Sequence, residues 1–418
     1  MKKTIITTLV LLTSLSTPAQ ENHSSASVNN GNESKSHSAP DPMRNLKISG
    51  YIQTQFQWGE KDASLKVGSA NENPGESFNR FGVRRGRVKF TYTKDIASAV
   101  FQLDITEKGV GIKDVYLTIK EPWTKIVTVK AGIFDRPFGY EISYSSSRRE
   151  SPERSAVFQT LFPDERDLGV MLAFQAPESS PLHAVKLEAG LFAGNGIKQE
   201  TDSRKDFIGH LSFNKSVGSK FSVGLGASYY NGGVYQGTEK VYSMKDEKFI
   251  QDHNPANKGK YAKREYIGFD GRLSYAGYIG TTRLGAEFIT GKQPGKDKSS
   301  KSPNSSNLPE SDTYIRSFSG GYVVLVQDIG RLPLSAVVKY DWYDPNTDIS
   351  SDQIGLNGTG KTDLSQHTLG LGAVWRLNSN IRLQAYYEIN KNEKSTNVGG
   401  MNTDIDNDVF TLRLQYKF

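Results

Sequence analysis

LKISGYIQTQFQW, residues 46–58, decides the fold class. Leu46, Ile48, Gly50, Ile52, Thr54, Phe56 and Trp58 fall on one side of an extended chain; Lys47, Ser49, Tyr51, Gln53, Gln55 and Gln57 fall on the other. Successive side chains of a strand point to opposite faces, so the period of two gives one face for lipid and one for water. A strand that crosses a bilayer needs about 9–11 residues, and this stretch supplies them. The last residues repeat the pattern. Phe410, Leu412, Leu414, Tyr416 and Phe418 oppose Thr411, Arg413, Gln415 and Lys417.

Between these two ends the alternation recurs around Val88, Phe101, Leu117, Val129, Val170, Leu187, Leu211, Leu225, Phe269, Leu284, Tyr322, Val338, Leu371 and Leu383. With the first and last segments that makes sixteen strands. An even number suits a closed antiparallel transmembrane β-barrel. The fold class is therefore all-β, over residues 45–418. Connection lengths agree. Short polar turns at 94–95, 121–125, 214–220, 275–279, 328–332 and 377–380 alternate with long connections at 59–77, 135–166, 231–262, 291–312, 344–366 and 391–408. The exception is the short connection at 107–111. Short turns on one side and long loops on the other predict an outer-membrane barrel with both termini in the periplasm. Trp58, Tyr229, Trp342, Trp375, Tyr387 and Tyr416 sit near strand ends, where amphipathic rings prefer the headgroup region.

The N-terminus supplies the compartment. Lys2 and Lys3 precede an apolar run, Thr4 to Leu15, and Thr17 and Ala19 are the small residues a signal peptidase reads. Residues 1–19 therefore read as a signal peptide cleaved before Gln20. Residues 20–44, rich in Ser, Asn, His and Pro, read as a disordered periplasmic lead-in. The chain has no Cys, which excludes disulfides and a lipid anchor on Cys. No stretch after the leader reaches the roughly 18 apolar residues of a membrane helix. A formal charge of +7 spread over 418 residues lacks the clustered basic face of a nucleic-acid binder. The expected setting is the outer membrane of a Gram-negative bacterium.

If apolar faces meet lipid, the alternate residues line a lumen. Val88, Phe90 and Tyr92 face out, so Arg85, Arg87 and Lys89 face in as a ladder with steps of about 7 Å. Arg84 shares the outward parity and is expected above the apolar band. Inward cations outnumber inward carboxylates over the whole barrel, which predicts a preference for anions where the bore is narrow. The connection from Asp135 to Arg166 carries Arg148, Arg149 and Arg154 among many carboxylates. A loop of about 30 residues in a compact barrel is usually functional. It is expected to fold into the lumen and narrow it, its arginine forks suited to phosphate-like oxygens. The competing reading is a surface loop whose charges pair with one another.

Several segments resemble the phosphate-selective porin family (porins O and P): FNRFGVRRGRVKF (78–90), KDVYLTIK (113–120), AGIFDRPFGYE (131–141), SSSRRESPERS (145–155) and PDERDLGVMLAF (163–174). GLFAGNG (190–196), RKDFIGHLSF (204–213) and VVKYDWYDP (337–345) extend the likeness over most of the chain. The resemblance implies a sixteen-stranded barrel, commonly trimeric, with an inward loop and arginines that conduct phosphate or other small anions. Its arginines fall on Arg85, Arg87, Arg148, Arg149 and Arg154. Outer-membrane lipid surrounds such a barrel, and the C-terminal strand ending on Phe418 resembles the signal read by the barrel-assembly machinery.

No catalytic, metal or cofactor site is expected. His183, His210, His253 and His367 read as lying in turns, loops or strand ends, away from any serine–acid pair. Asp344, Asn346 and Asp348 begin like a calcium loop, but Ile349 stands where a Gly is required, so a carboxylate-rich surface loop is expected, with weak calcium binding there or at Asp404, Asp406 and Asp408 as the alternative. A weakly selective diffusion pore and a loop-based binding protein or adhesin are the alternatives.

Overall fold

A computed structural model describes residues 42–418, so the signal peptide and nearly all of the 20–44 lead-in lie outside the described residues. The strands are β1 (Leu46–Gly59), β2 (Phe78–Lys94), β3 (Ala97–Thr106), β4 (Gly109–Lys120), β5 (Val127–Asp135), β6 (Arg166–Gln175), β7 (Val185–Phe192), β8 (Asp206–Val217) and β9 (Phe221–Tyr235). They continue as β10 (Lys240–Lys245), β11 (Lys248–His253), β12 (Tyr261–Gly277), β13 (Gly280–Gly295), β14 (Thr313–Asp328), β15 (Leu334–Asp344), β16 (Gln366–Arg376), β17 (Ile381–Asn392) and β18 (Val409–Lys417). All but β10 and β11 form a closed sixteen-strand antiparallel barrel. Each barrel strand pairs with the next in the chain, β9 passing directly to β12. Closure comes from β1, which pairs with β2 on one side and β18 on the other, Tyr51 opposite Lys417 and Gly59 opposite Val409. The amides of Gly50 and Phe418 each donate to the other's carbonyl at 3.0 Å. No sheet edge is left open in the ring, which a membrane requires because lipid cannot satisfy free amides.

Facing follows the alternation. Ile52, Phe101, Leu117 and Leu211 are exposed, while Tyr51, Gln53, Gln55 and Gln57 are buried. Short turns gather at one end of the barrel; the long connections gather at the other. In the connection between β9 and β12 the chain forms a hairpin that the alternation pattern does not mark as strand. KVYSMK pairs with KFIQDH, Lys245 opposite Lys248, around Asp246 and Glu247, both with positive φ. β10 then runs parallel to the start of β14, Val241 beside Thr313.

Two β-bulges change the inner surface. The β1–β2 register shifts between Gln53 and Thr54, whose partners are Arg85 and Val83, leaving Arg84 as the extra residue. The β3–β4 register shifts in the same way, leaving Lys113 extra between Asp114 and Ile112. A bulge inserts a residue without moving the rest of its strand to the wrong face, and it re-aims the inserted side chain.

The largest apolar core is formed by inward-facing side chains. Tyr230, Tyr266, Ile289, Phe318 and Tyr343 are almost fully buried. They pack with Phe138, Ile142, Val157, Phe158, Leu161 and Phe162 from the connection between β5 and β6. Val157, Phe158 and Leu161 belong to its short helix α1 (Ala156–Leu161). Strands apolar on both faces at this level explain runs such as Phe288–Ile289.

Candidate functional site

Two segments build the site: the bulged half of β2 and the β5–β6 connection, residues 136–165. At the bulge, Arg84 turns to the same side as Arg85. Its Nε and Nη2 each donate to Glu153 at 2.9 Å. The expected outward place for Arg84 is therefore wrong, because the bulge breaks the parity on which that expectation rests. Arg85 Nη2 donates to the same carboxylate at 2.8 Å, and Arg413 Nη2 at 2.9 Å. One carboxylate thus gathers three guanidiniums. Burial pushes the Glu153 carboxyl up, but Arg84, Arg85 and Arg413 outweigh it and hold the group well below the usual carboxylate range.

The remaining predicted residues divide. Arg87 donates to Asp104 at 3.3 Å and to the Ser146 hydroxyl at 3.2 Å. Among the described residues Lys89 and Arg148 make no ion pair; Arg148 is exposed. Arg149 is buried, donates to the carbonyls of Ser151 and Pro152, and keeps Nη1 without a partner. Burial, then the neighbouring Arg154, pushes its pKa down to about 10. Arg154 has a structural task. Its guanidinium donates to the carbonyls of Glu141, Ile142 and Tyr144 and pairs with Glu165. Arg87, Lys89 and Arg154 line one cavity of about 300 Å³ with Ser143–Ser147 and Asp114; Arg148 and Arg149 do not line it.

Residues 136–165 reach strands around the ring. The Tyr51 hydroxyl lies 2.6 Å from Ser146 Oγ, and Gln53 donates to the Ser146 carbonyl at 3.0 Å. The Gly139 amide donates to Ser228 at 2.8 Å, and the Tyr140 and Glu141 amides donate to Glu287. Lys339 pairs with Glu141 at 2.7 Å, and the Ala156 amide donates to Asp341 at 3.2 Å. Lys113, the other bulge residue, pairs with Glu165 at 2.6 Å. Arg84, Lys113, Arg413 and Glu153 thus carry much of the arrangement. Two escaped the sequence reading because bulges are invisible to parity. Glu153 and Arg413 escaped as partners because their sequence separation is so large.

His210 lies inside β8, not at a strand end as expected. It faces Asp270 at 3.1 Å and pairs across the ladder with Ser228. The Ser228 hydroxyl is taken by Gly139. The calcium-like stretches have protein partners: Asp344 accepts from the Asn346 amide, Asp404 pairs with Lys391, and Asp406 pairs with Lys61 at 2.8 Å. Among the described residues no cluster of His and carboxylates has metal-holding geometry.

Solved structures share the fold at low identity. A channel titled outer membrane channel DcaP, of Acinetobacter baumannii, is 12% identical with a TM-score of 0.54, covering 89% of this chain and 97% of its own. OprB of Pseudomonas putida is 10% identical at 0.56, covering 90% and 94%. OmpF of Salmonella typhi, solved with daunomycin, is 11% identical at 0.53, covering 89% and 97%. No curated protein matches in sequence. The family model described as phosphate-selective porin O and P matches residues 72–304, which include both bulges, the whole 136–165 connection and more than half of the chain. The chain therefore belongs to that family of outer-membrane porins.

Proposed function

We propose that this outer-membrane channel is water-filled and prefers small anions, phosphate among them. Residues 136–165 fold into its bore as the constriction. The observation that carries the reading is the excess of guanidinium over carboxylate where that connection meets β2 and β18. Glu153 neutralises only one of the three arginines it binds. Arg149 adds a further buried charge with an unmade hydrogen bond. Charge at a narrow point sets selectivity, and a buried guanidinium is poorly screened by salt. Arg87, Lys89 and Arg148 are the groups with donors left for a passing anion. Arg85 sits behind them as the anchor of Glu153, and Arg154 holds the shape of the connection.

The chain acts as a homotrimer, is exported with its first nineteen residues removed, and reaches the assembly machinery through β18. It performs no catalysis. A planar bilayer holding the purified protein under a potassium chloride gradient tests the preference. An anion-directed reversal potential with block by phosphate is expected; a neutral or cation-directed potential without block leaves a general diffusion pore. Absence of conductance moves the protein to a loop-based binding role. One observation favours that second reading: Ile349, Ile354, Leu364 and Met401 of the long connections form an apolar core of their own.

A further inference from the structure

We propose that the bore holds a separate binding site for a neutral, hydroxyl-rich ring, that is, a sugar. The site lies between residues 140–150 and strands β8, β9, β12, β13 and β14. A cavity of about 400 Å³ opens there, large enough for one or two sugar rings. The rings of Tyr140 and Tyr144 line it together, stacked at 4.9 Å and 26°. The Arg272 guanidinium lies 3.9 Å from the centre of the Tyr140 ring. An aromatic surface of this kind suits the C–H face of a sugar ring, which is apolar while its edge is not.

The charges argue against an anion. Arg283 donates to both oxygens of Asp328, at 2.8 and 2.9 Å, and its Nε lies 3.9 Å from Glu150. Arg272 Nε lies 3.8 Å from Asp270 Oδ1, and neither of those two atoms has a hydrogen-bond partner. Each guanidinium is thus matched by a carboxylate, unlike the cluster at Glu153. An inorganic anion would have to compete with carboxylates that already engage both guanidiniums. A hydroxyl both donates and accepts, so Arg272, Arg283 and Glu150, with Ser216, Ser222 and Ser274 beside them, fit a polyol. Gly224 keeps the wall flat under Arg272: a Cβ there would come within 2.7 Å of Nη2.

Isothermal titration of the detergent-solubilised chain with maltose, paired with bilayer conductance under maltose, tests the site. Saturable heat and saturable current block are expected, each weakened about tenfold or more in Tyr144→Ala and in Gly285→Leu. Gly285→Leu keeps the connection intact and fills the cavity, because a Cβ at 285 meets only Val324 Cγ1, at 3.2 Å. Absence of saturable heat from a conducting protein overturns the proposal. So does unchanged affinity in both variants, or competition by phosphate for the maltose heat. The current block alone rests on the channel reading. Maltose heat without conductance would sink that reading and leave this site standing.

Discussion

Glu153 shows how one residue can anchor a long connection. Its side chain is 6% exposed, and those of Arg85 and Arg413 are 4% and 1% exposed. Removing one partner of a buried ionic cluster leaves uncompensated charge, at a cost of about 3–5 kcal/mol. Glu153→Gln should therefore lower the unfolding midpoint in urea and raise single-channel current noise, as the connection loses its anchor. An unchanged midpoint would show that the other contacts suffice. The pH dependence has a definite sign. The folded pKa is lowered, so the stabilisation is fully present above the unfolded value of about 4.3 and is lost only as pH falls through the lower folded value. Wild-type current noise should be flat from neutral pH to about 5 and should rise only in stronger acid. Arg148 belongs to the opposite kind, exposed and without an ion pair. Arg148→Glu should shift the reversal potential toward cations with little change in thermal stability. Melting curves and reversal potentials from one preparation check both halves.

At the scale of elements, the 136–165 connection is held by two devices: polar bonds to β1, β2, β4, β9, β13, β15 and β18, and the apolar face of α1. Phe158 is fully buried among inward-facing aromatics. Phe158→Ala should cost about 3–5 kcal/mol and widen the open-state conductance, because the helix loses its packing against the wall. A stability loss without a change in conductance would place the constriction elsewhere. The hairpin β10–β11 is a lesser element, tied to the barrel by a short parallel pairing with β14. The alternation in KVYSMK and KFIQDH was visible, but short strands inside a long connection resemble loop by length alone. The bulges at Arg84 and Lys113 were less accessible still. Nothing local distinguishes an extra residue from an ordinary one, since the extra residue is defined by its partner strand.

Across the whole molecule, exposed apolar side chains form the outward face, and the inward face divides between polar groups and an aromatic core. Leu371, near the middle of β16 and exposed outward, should tolerate no charge. Leu371→Lys should destabilise the barrel by about 2–4 kcal/mol, read as a lower urea midpoint in vesicles. A neutral outcome would mean that this face is not in the hydrocarbon.

The number of barrel strands, their facing outside the two bulges and the alternation of short and long connections were determined by the sequence alone, because each depends on neighbours two residues apart or on the length of a gap. Residues 46–58 and 410–418 carry the same period, and each expected strand centre lies in a barrel strand. The family was legible too, in the arginine-rich stretch of β2 and in the long connection after β5. Tertiary structure decided which arginines serve as anchors and which remain free. Arg85 and Arg154 are spent on Glu153 and on the connection's own carbonyls, while Arg148 and Lys89 are not. Those assignments turn on contacts between residues as far apart as Glu153 and Arg413. Hydrogen bonding of that kind is set by closure of the ring and by the path of one connection, and no periodicity along the chain encodes it.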